Sequence, residues 1–326
     1  MFAQTGALSF AVTGPSPGSA VARWTDVQQC PACGSGAPRQ STPIPDEHYR
    51  FGAAHIAIPE PGISLVECGA CGLRYKSRFP ERSFLGELFR SNASAKWCSD
   101  YDSSRDVDLL RRLWGRPAFD LLDIGAAGGA LLVACTTAGI VGRRSALDVM
   151  RYPGIERGLR GEFIEGSLDG SALRWSGKRY DIVTLFDVLE HLYEPRVAFE
   201  RLRALVRRRG LVFIETGDAE SFWPARFGIH QWWYTRLIEH HVFWCRDALE
   251  RIAGEHGFEI VYWRQVRHNS RRRLQLAKAF SDILKAGVYC LSPQHYAAFA
   301  RLLGGQGNQP WFPFARDHLR VALMKL

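Results

Sequence analysis

No uninterrupted apolar run in this chain of 326 residues approaches the roughly 18 needed to span a bilayer, which excludes a membrane-spanning helix. The start, Met1 to Ala22, has no basic segment ahead of an apolar stretch, so it does not read as a secretory signal. Its Ala, Gly, Ser, Thr and Pro predict a flexible tail over 1–23, and the expected location is the cytoplasm. No internal repeat or low-complexity tract follows, and at roughly 150 residues per domain the length leaves room for one large unit and one small one. That length excludes a tiny disulfide scaffold. Acidic residues are outnumbered, 33 against 42 basic, and the net charge of +9 favours nucleotides, phosphates, nucleic acid or anionic lipid without choosing among them. Lysine is scarce, six of the 42. The arginine excess offers bidentate recognition of phosphate or carboxylate, and it equally follows from genome composition. With 46% hydrophobic and 23% charged residues, the chain is near the globular average and is not mainly disordered.

Cys30-Pro31-Ala32-Cys33-Gly34 and Cys68-Gly69-Ala70-Cys71-Gly72 form two CxxC knuckles. Four thiolates so spaced can close a tetrahedral zinc site, with each following glycine suited to the turn that brings amides to the sulfurs. A redox dithiol needs only one such pair beside a helix, and two disulfides would not persist in a cytosolic chain. Ile63, Leu65 and Glu67 alternate ahead of Cys68 like a strand entering a knuckle. The expectation is a zinc ribbon over 24–80 whose metal stabilises folding and does no chemistry. His48 and His55 between the knuckles are spare ligands, and Cys98, Cys135, Cys245 and Cys290 read as buried thiols.

From Ser83 to Gly115 the pattern is helical, with Leu85, Leu88 and Phe89, then Val107, Leu110 and Trp114, at helix-like spacings. This predicts a helical linker over 81–117. Phe119 to Ile124 is a short apolar strand, Gly125-Ala126-Ala127-Gly128-Gly129 a turn of small residues, and Ala130 to Ala138 a helix. Strand, small-residue turn and helix open a doubly wound α/β fold in which a cofactor lies against backbone at the strand's carboxyl end. Asp148, nineteen residues after Gly129 at the end of a second strand, is placed to accept hydrogen bonds from ribose hydroxyls. A nicotinamide dinucleotide would satisfy all of this equally.

The segment from Arg179 to Leu192 reads as a buried strand followed by a turn carrying Asp187, Glu190 and His191, and it separates the two cofactors. With its Asp-Val-Leu-Glu-His-Leu ending, the sequence resembles the class I S-adenosylmethionine-dependent methyltransferases. Within them it is similar to the ubiquinone-type O-methyltransferases and to zinc-ribbon enzymes that modify sugars, glycans or natural products. The resemblance runs from about Leu110 to the C-terminus and implies a Rossmann-like, seven-stranded, doubly wound sheet over 81–326, beside the small zinc ribbon. Asp123, Gly125, Ala127 and Gly129 stand on the family's donor-binding loop, with alanine in place of its middle glycine. The resemblance further implies that Asp148 holds the ribose, that Ser167 and Leu168 flank the adenine, and that Phe186 and Asp187 line the methionine side. Ser167 stands where an acidic residue is commoner. Asp187 and Glu190 also suit a helix N-terminus as capping carboxylates.

Pro195, Ala198, Leu202, Leu205 and Val206 predict a helix ending at Gly210, and 210–215 the fifth strand. Asp247 to Gly257 reads as another helix, and 258–263 with 318–324 as a terminal antiparallel pair. Between them, 268–316 is an insertion with Arg271, Arg272 and Arg273 and a helix carrying Tyr296, Ala300 and Leu303, expected over the active-site face.

Glu239-His240-His241-Val242-Phe243 matches the Glu-His pair that serves as the base system in related sugar C-methyltransferases, although Leu237 replaces the tyrosine just upstream. The methyl group of a sulfonium is already activated, so an enzyme has to align an acceptor and remove its proton. His240 backed by Glu239 is the first candidate base and His191 the second. The alternative is that these histidines pack among Trp232, Trp233 and Trp244. The expected partner is a small sugar-like or secondary-metabolite acceptor, methylated on oxygen in preference to carbon. Two other acceptors compete. RNA methylation would explain the charge, but there is no catalytic cysteine motif, no Asn-Pro-Pro-Tyr type segment and no Lys-rich stripe. Quinone O-methylation at a membrane surface needs an amphipathic basic helix, for which Arg271 to Leu284 is a faint candidate.

Overall fold

A computed structural model describes residues 24–44, 48–51, 54–91, 102–171, 173–267, 276–302 and 316–326. The tail 1–23, Cys98, Arg271–Arg273 and Leu303 lie outside these residues, as do the side chains of His48, His55 and Ala300.

The first unit is built of short strands: β1 (Trp24–Asp26), β2 (Pro38–Pro43), β3 (His48–Phe51), β4 (Ala54–Ala57), β5 (Ser64–Cys68), β6 (Arg74–Lys76) and β7 (Arg78–Pro80). β3 and β4 form a hairpin and β1 pairs with β7. The alternation ahead of Cys68 becomes β5, which pairs antiparallel with both β2 and β6. Two amphipathic helices follow, α1 (Arg82–Arg90) burying Phe84, Leu85 and Leu88, and α2 (Ser104–Trp114) burying Val107, Leu109 and Leu110. Gly115 ends α2 in the left-handed conformation that glycine adopts without steric cost.

The larger unit comprises β8 (Leu121–Ile124), α3 (Ala130–Thr137), β9 (Arg144–Asp148), β10 (Phe163–Glu165), β11 (Tyr180–Phe186), α4 (Pro195–Leu205), β12 (Val206–Gly217), α5 (Phe222–Phe227), β13 (Val242–Phe243), α6 (Arg246–Glu255), β14 (Phe258–Val266), α7 (Leu276–Leu291), α8 (Pro293–Leu302) and β15 (His318–Lys325). Its sheet has seven strands in the order β10-β9-β8-β11-β12-β15-β14. The first five are parallel, and β15 runs antiparallel to both β12 and β14. β8 and β9 are buried along their whole length, as strands inside a parallel sheet covered on both faces are. The chain winds outward from β8 in both directions, so the carboxyl ends of β8 and β11 flank the switch point where open α/β sheets hold ligands.

β13 lies within the larger unit by sequence but pairs outside it. It adds to the edge of the first unit's sheet, giving the order β13-β6-β5-β2, with Val242 opposite Tyr75 and Phe243 opposite Arg74. One apolar core accordingly joins Cys30, Cys68, Tyr75 and Phe79 to Leu122, Leu185, Val242 and Trp244.

Three local expectations change. α4 ends at Leu205 rather than Gly210, because Val206 already pairs with Tyr180, and a register shift takes up the residues before Leu211. Cys290 is exposed, while Cys135 and Cys245 are buried as expected. The helices of the insertion do not cover the site: Tyr289 and Tyr296 pack into a cluster with Trp223 and Phe227, and among the described residues none of α7 or α8 lines the main cavity. No described helix is long and apolar enough to cross a membrane.

Candidate functional site

The four cysteines of the knuckles meet as the spacing requires, every sulfur within 4.8 Å of the others. Cys30 Sγ lies 3.6 Å from Cys71 Sγ and Cys33 Sγ 3.5 Å from Cys68 Sγ. Zinc–sulfur bonds of about 2.3 Å in a tetrahedron put sulfurs about 3.8 Å apart, so the set fits one zinc ion with little adjustment. Gly34 and Gly72 both take positive φ, and the Ala70 amide donates to Cys68 Sγ at 3.4 Å. With a metal bound, all four ligands would be cysteine sulfurs, leaving no open coordination site for substrate.

A cavity of about 830 Å³ opens at the switch point, lined by the turns after β8, β9, β10 and β11. The turn after β8 explains its own composition. Gly125 has φ +72° and a side chain there would collide with Val188; Gly129 has φ +78° and a Cβ would come within 2.8 Å of Ile155. Ala127, the departure from the family loop, sits at φ +44°, left-handed backbone that costs an alanine about 1–2 kcal/mol. Its amide donates to Asp148 Oδ2 at 2.8 Å, and the Val149 amide to Asp148 Oδ1 at 2.7 Å. Burial pushes the Asp148 carboxyl up to about 6, against the pull of these amides. Asp123, beneath the turn, accepts from Thr184 Oγ1 at 2.6 Å. Ser167, Leu168, Phe186 and Asp187 all line the cavity. Ser167 Oγ donates to Asp169 at 2.5 Å, and it is Asp169, two residues on, that carries the local negative charge.

The opposite end of the cavity gathers Glu190, His191, Tyr234, Glu239 and His240. The expected pairing of Glu239 with His240 is replaced by another arrangement. His191 Nδ1 donates to the Glu239 carbonyl at 2.9 Å, and His240 Nδ1 to the Tyr234 carbonyl at 2.9 Å. Each imidazole thereby keeps Nε2 as its acceptor nitrogen. The rings lie 4.9 Å apart, and His191 Nε2 is 3.9 Å from Glu190 Oε1. The Glu239 carboxyl makes no hydrogen bond at Oε2, and burial raises its pKa. Burial, reinforced by His191 and Lys76, holds His240 well below the ordinary histidine range. His241 does pack as an aromatic, 4.7 Å from Phe79 and 4.2 Å from Tyr193.

Glu190, His191 and His240 bring donor atoms within 4.8 Å, close enough for a cation. Both oxygens of Glu190 already accept hydroxyl hydrogen bonds, from Thr216 at 2.8 Å and from Tyr234. With those oxygens occupied, the trio stands as a hydrogen-bonded cluster lining this end of the cavity. Tyr234 also places a phenol in the site three residues before the position where the family tyrosine is replaced by Leu237.

Several residues here went unread in the sequence. Arg82 on α1 makes a two-pronged ion pair with buried Asp169, 2.9 and 3.0 Å, which also accepts from the amides of Tyr193 and Glu194. Phe89 on the same helix faces His191 edge-on at 6.4 Å, so the linker helix walls the cavity. His318 lies buried beneath Asp187, with Nδ1 3.0 Å from Asp317 and Nε2 3.7 Å from Asp187. Burial alone would lower its pKa; Asp317, Asp187 and Glu215 override that and raise it to about 9. The sequence carried little signal for these contacts, since Asp169 stands among the small loop residues Gly166, Ser167 and Gly170.

The family described as methyltransferase domain matches residues 89–262, more than half of the chain. The ubiquinone biosynthesis O-methyltransferase of Bordetella avium is 34% identical over 114 residues, covering 33% of this chain and 46% of that protein. The enzyme of the same name from Vibrio parahaemolyticus is 31% identical over 101 residues, 29% of this chain and 43% of that one. The matched stretch thus spans a little under half the length of these relatives. A solved structure of the Burkholderia thailandensis 1,6-didemethyltoxoflavin-N1-methyltransferase, with S-adenosylhomocysteine bound, aligns with TM-score 0.48 at 15% identity, covering 86% of this chain and 99% of that one.

Proposed function

The chain belongs to the methyltransferase-domain family, and we propose that it transfers the methyl group of S-adenosylmethionine to a hydroxyl oxygen of a small sugar-like or secondary-metabolite acceptor. The observation that carries this reading is a single cavity running from the small-residue turn and Asp148 to the imidazoles of His191 and His240. With the donor bound, Asp148 would accept from its ribose hydroxyls, the Gly125–Gly129 turn with Phe186 and Asp187 would hold its methionine portion, and Ser167 with Leu168 would flank its adenine. When bound, the donor supplies an electrophilic methyl on a sulfonium. His191 Nε2 would accept the proton that the acceptor hydroxyl loses on methylation. His240, kept neutral by burial, offers Nε2 as a second acceptor that orients the same hydroxyl, and Glu239 holds His191 through its backbone carbonyl. One zinc ion in Cys30, Cys33, Cys68 and Cys71 stabilises the knuckles.

Six carboxylates line the cavity, Asp102, Asp123, Asp148, Asp187, Glu190 and Glu239, against the arginines Arg82 and Arg157. This favours a cationic donor and an uncharged acceptor over nucleic acid, whose phosphates such a cavity repels. The basic surplus lies outside it.

The test is calorimetric titration with S-adenosylhomocysteine on protein assayed for zinc, followed by an acceptor screen comparing wild type with His191→Ala and His240→Ala. Micromolar binding, about one zinc per chain and acceptor turnover lost in His191→Ala are expected. Absence of cofactor binding by a folded, zinc-loaded chain would overturn the reading.

A second reading is quinol O-methylation at a membrane surface. It is favoured by an exposed apolar stripe on α7, where Phe280, Ile283, Leu284 and Leu291 share one face opposite buried Ala286 and Tyr289. Co-sedimentation with anionic liposomes separates it from the first.

A further inference from the structure

We propose that Lys76 is a positioning residue for the acceptor end of the cavity, through which the metal-binding knuckles set the geometry of the His191–His240 pair. The inference rests on the reading of that pair as the acceptor-side catalytic groups. Lys76 closes β6, five residues after Cys71, and is fully buried. Removing an ammonium from water costs several kcal/mol even after relaxation, so a lysine kept there needs specific partners. Nζ donates to the Leu237 carbonyl at 2.6 Å and stands 4.0 Å above the Tyr49 ring. The same carbonyl accepts the His240 amide at 3.2 Å, so the ammonium and the histidine backbone share one anchor.

The backbone repeats the connection. The Lys76 amide donates to the His241 carbonyl at 3.0 Å, and β13 continues from there as the fourth strand beside β6. On its other side, the turn is tied to the carboxyl end of β11, where the His241 amide donates to the Glu190 carbonyl at 2.8 Å and His191 Nδ1 to the Glu239 carbonyl. The turn 237–241 is therefore stretched between β6 and the Glu190–His191 turn. The donor turn after β8 makes no such contact with β6 among the described residues. Disturbing Lys76 or the knuckles should displace the acceptor groups and spare donor binding.

The test uses the full chain and reads the imidazoles directly, so it needs no identified acceptor. Histidine side-chain NMR signals, assigned with His191→Ala and His240→Ala, are compared between wild type, Lys76→Met, Lys76→Arg and protein stripped of metal by a chelator. S-adenosylhomocysteine affinity is measured on each. Lys76→Met is expected to shift the His240 and His191 signals while cofactor affinity stays within about threefold of wild type. Lys76→Arg, which keeps a cation and donors, should shift them less. Chelation should move the same two signals and leave cofactor affinity similarly unchanged. If Lys76→Met does not fold, the chelated protein decides. Imidazole signals superimposable on wild type in Lys76→Met or after chelation overturn the proposal, as does a loss of cofactor affinity in parallel with the shift. Failure of wild type to bind the cofactor would instead overturn the methyltransfer reading and leave the imidazole comparison standing.

Discussion

The two ends of the cavity are made differently. The donor end follows successive strand ends in chain order: a strand, a turn of small residues and a helix, then Asp148 at the end of β9, with Asp123 inside β8 beneath the turn. The acceptor end is assembled from α1, the turn after β11, the 3-10 turns at 229–236 and the segment before β13, and its contacts run between side chains far apart in the chain. Local backbone geometry is encoded by residue type, whereas a cluster of distant side chains depends on how several elements pack. Substitutions at the donor end should accordingly act on binding, and those at the acceptor end on turnover.

The sharpest way to break that division is His191→Ala. We expect kcat to fall by about 10²–10⁴ with cofactor affinity unchanged, measured by product formation and calorimetry. Equal losses in both would mean that the two ends are one unit.

Next is His318, beneath the junction. A folded-state pKa of about 9 against an ordinary value of 6.5 gives stability that is fully present below pH 6.5 and lost as pH rises through 9. Denaturant unfolding at the two pH values should differ by on the order of 3 kcal/mol, and His318→Gln should flatten that difference.

At the donor end, Asp148→Asn should weaken S-adenosylhomocysteine by about 10- to 100-fold, the worth of a charge-assisted hydrogen bond or two, with little change in the imidazole signals. In wild type the same affinity should fall as pH drops through about 6, where Asp148 takes up its proton. The smallest effect is Ala127→Gly, which relieves the left-handed alanine. Stability should rise by about 1 kcal/mol, raising Tm by a few degrees, with cofactor binding retained.

Much of this was legible beforehand for physical reasons. Glycines at 125 and 129 announce positive φ, doubly buried strands announce a parallel sheet, and paired CxxC knuckles announce a four-sulfur site. The segment Glu239-His240 was legible as chemistry but not as orientation. Which atom of Glu239 meets which histidine depends on the turn 237–241, and that turn is fixed by Lys76 and Glu190, residues with no periodic or spacing signal. Arg82 was hidden within an ordinary amphipathic helix, and its partner Asp169 in a loop. For α7, an apolar face predicts burial without saying against what; Tyr289 packs on Trp223 and does not line the cavity.

The placement of β13 also bears on how the chain is made. Cys71 and Cys245, which meet where β13 joins the knuckles, are 174 residues apart in sequence. During synthesis, the amino-terminal sheet must wait with β6 as a bare edge until the ribosome has delivered almost the whole parallel sheet. A naked strand edge invites pairing with other chains, and contacts of such long range slow folding. The amino-terminal unit expressed by itself should therefore tend to self-associate even when loaded with metal, and a peptide carrying residues 237–245 added in trans should suppress that association.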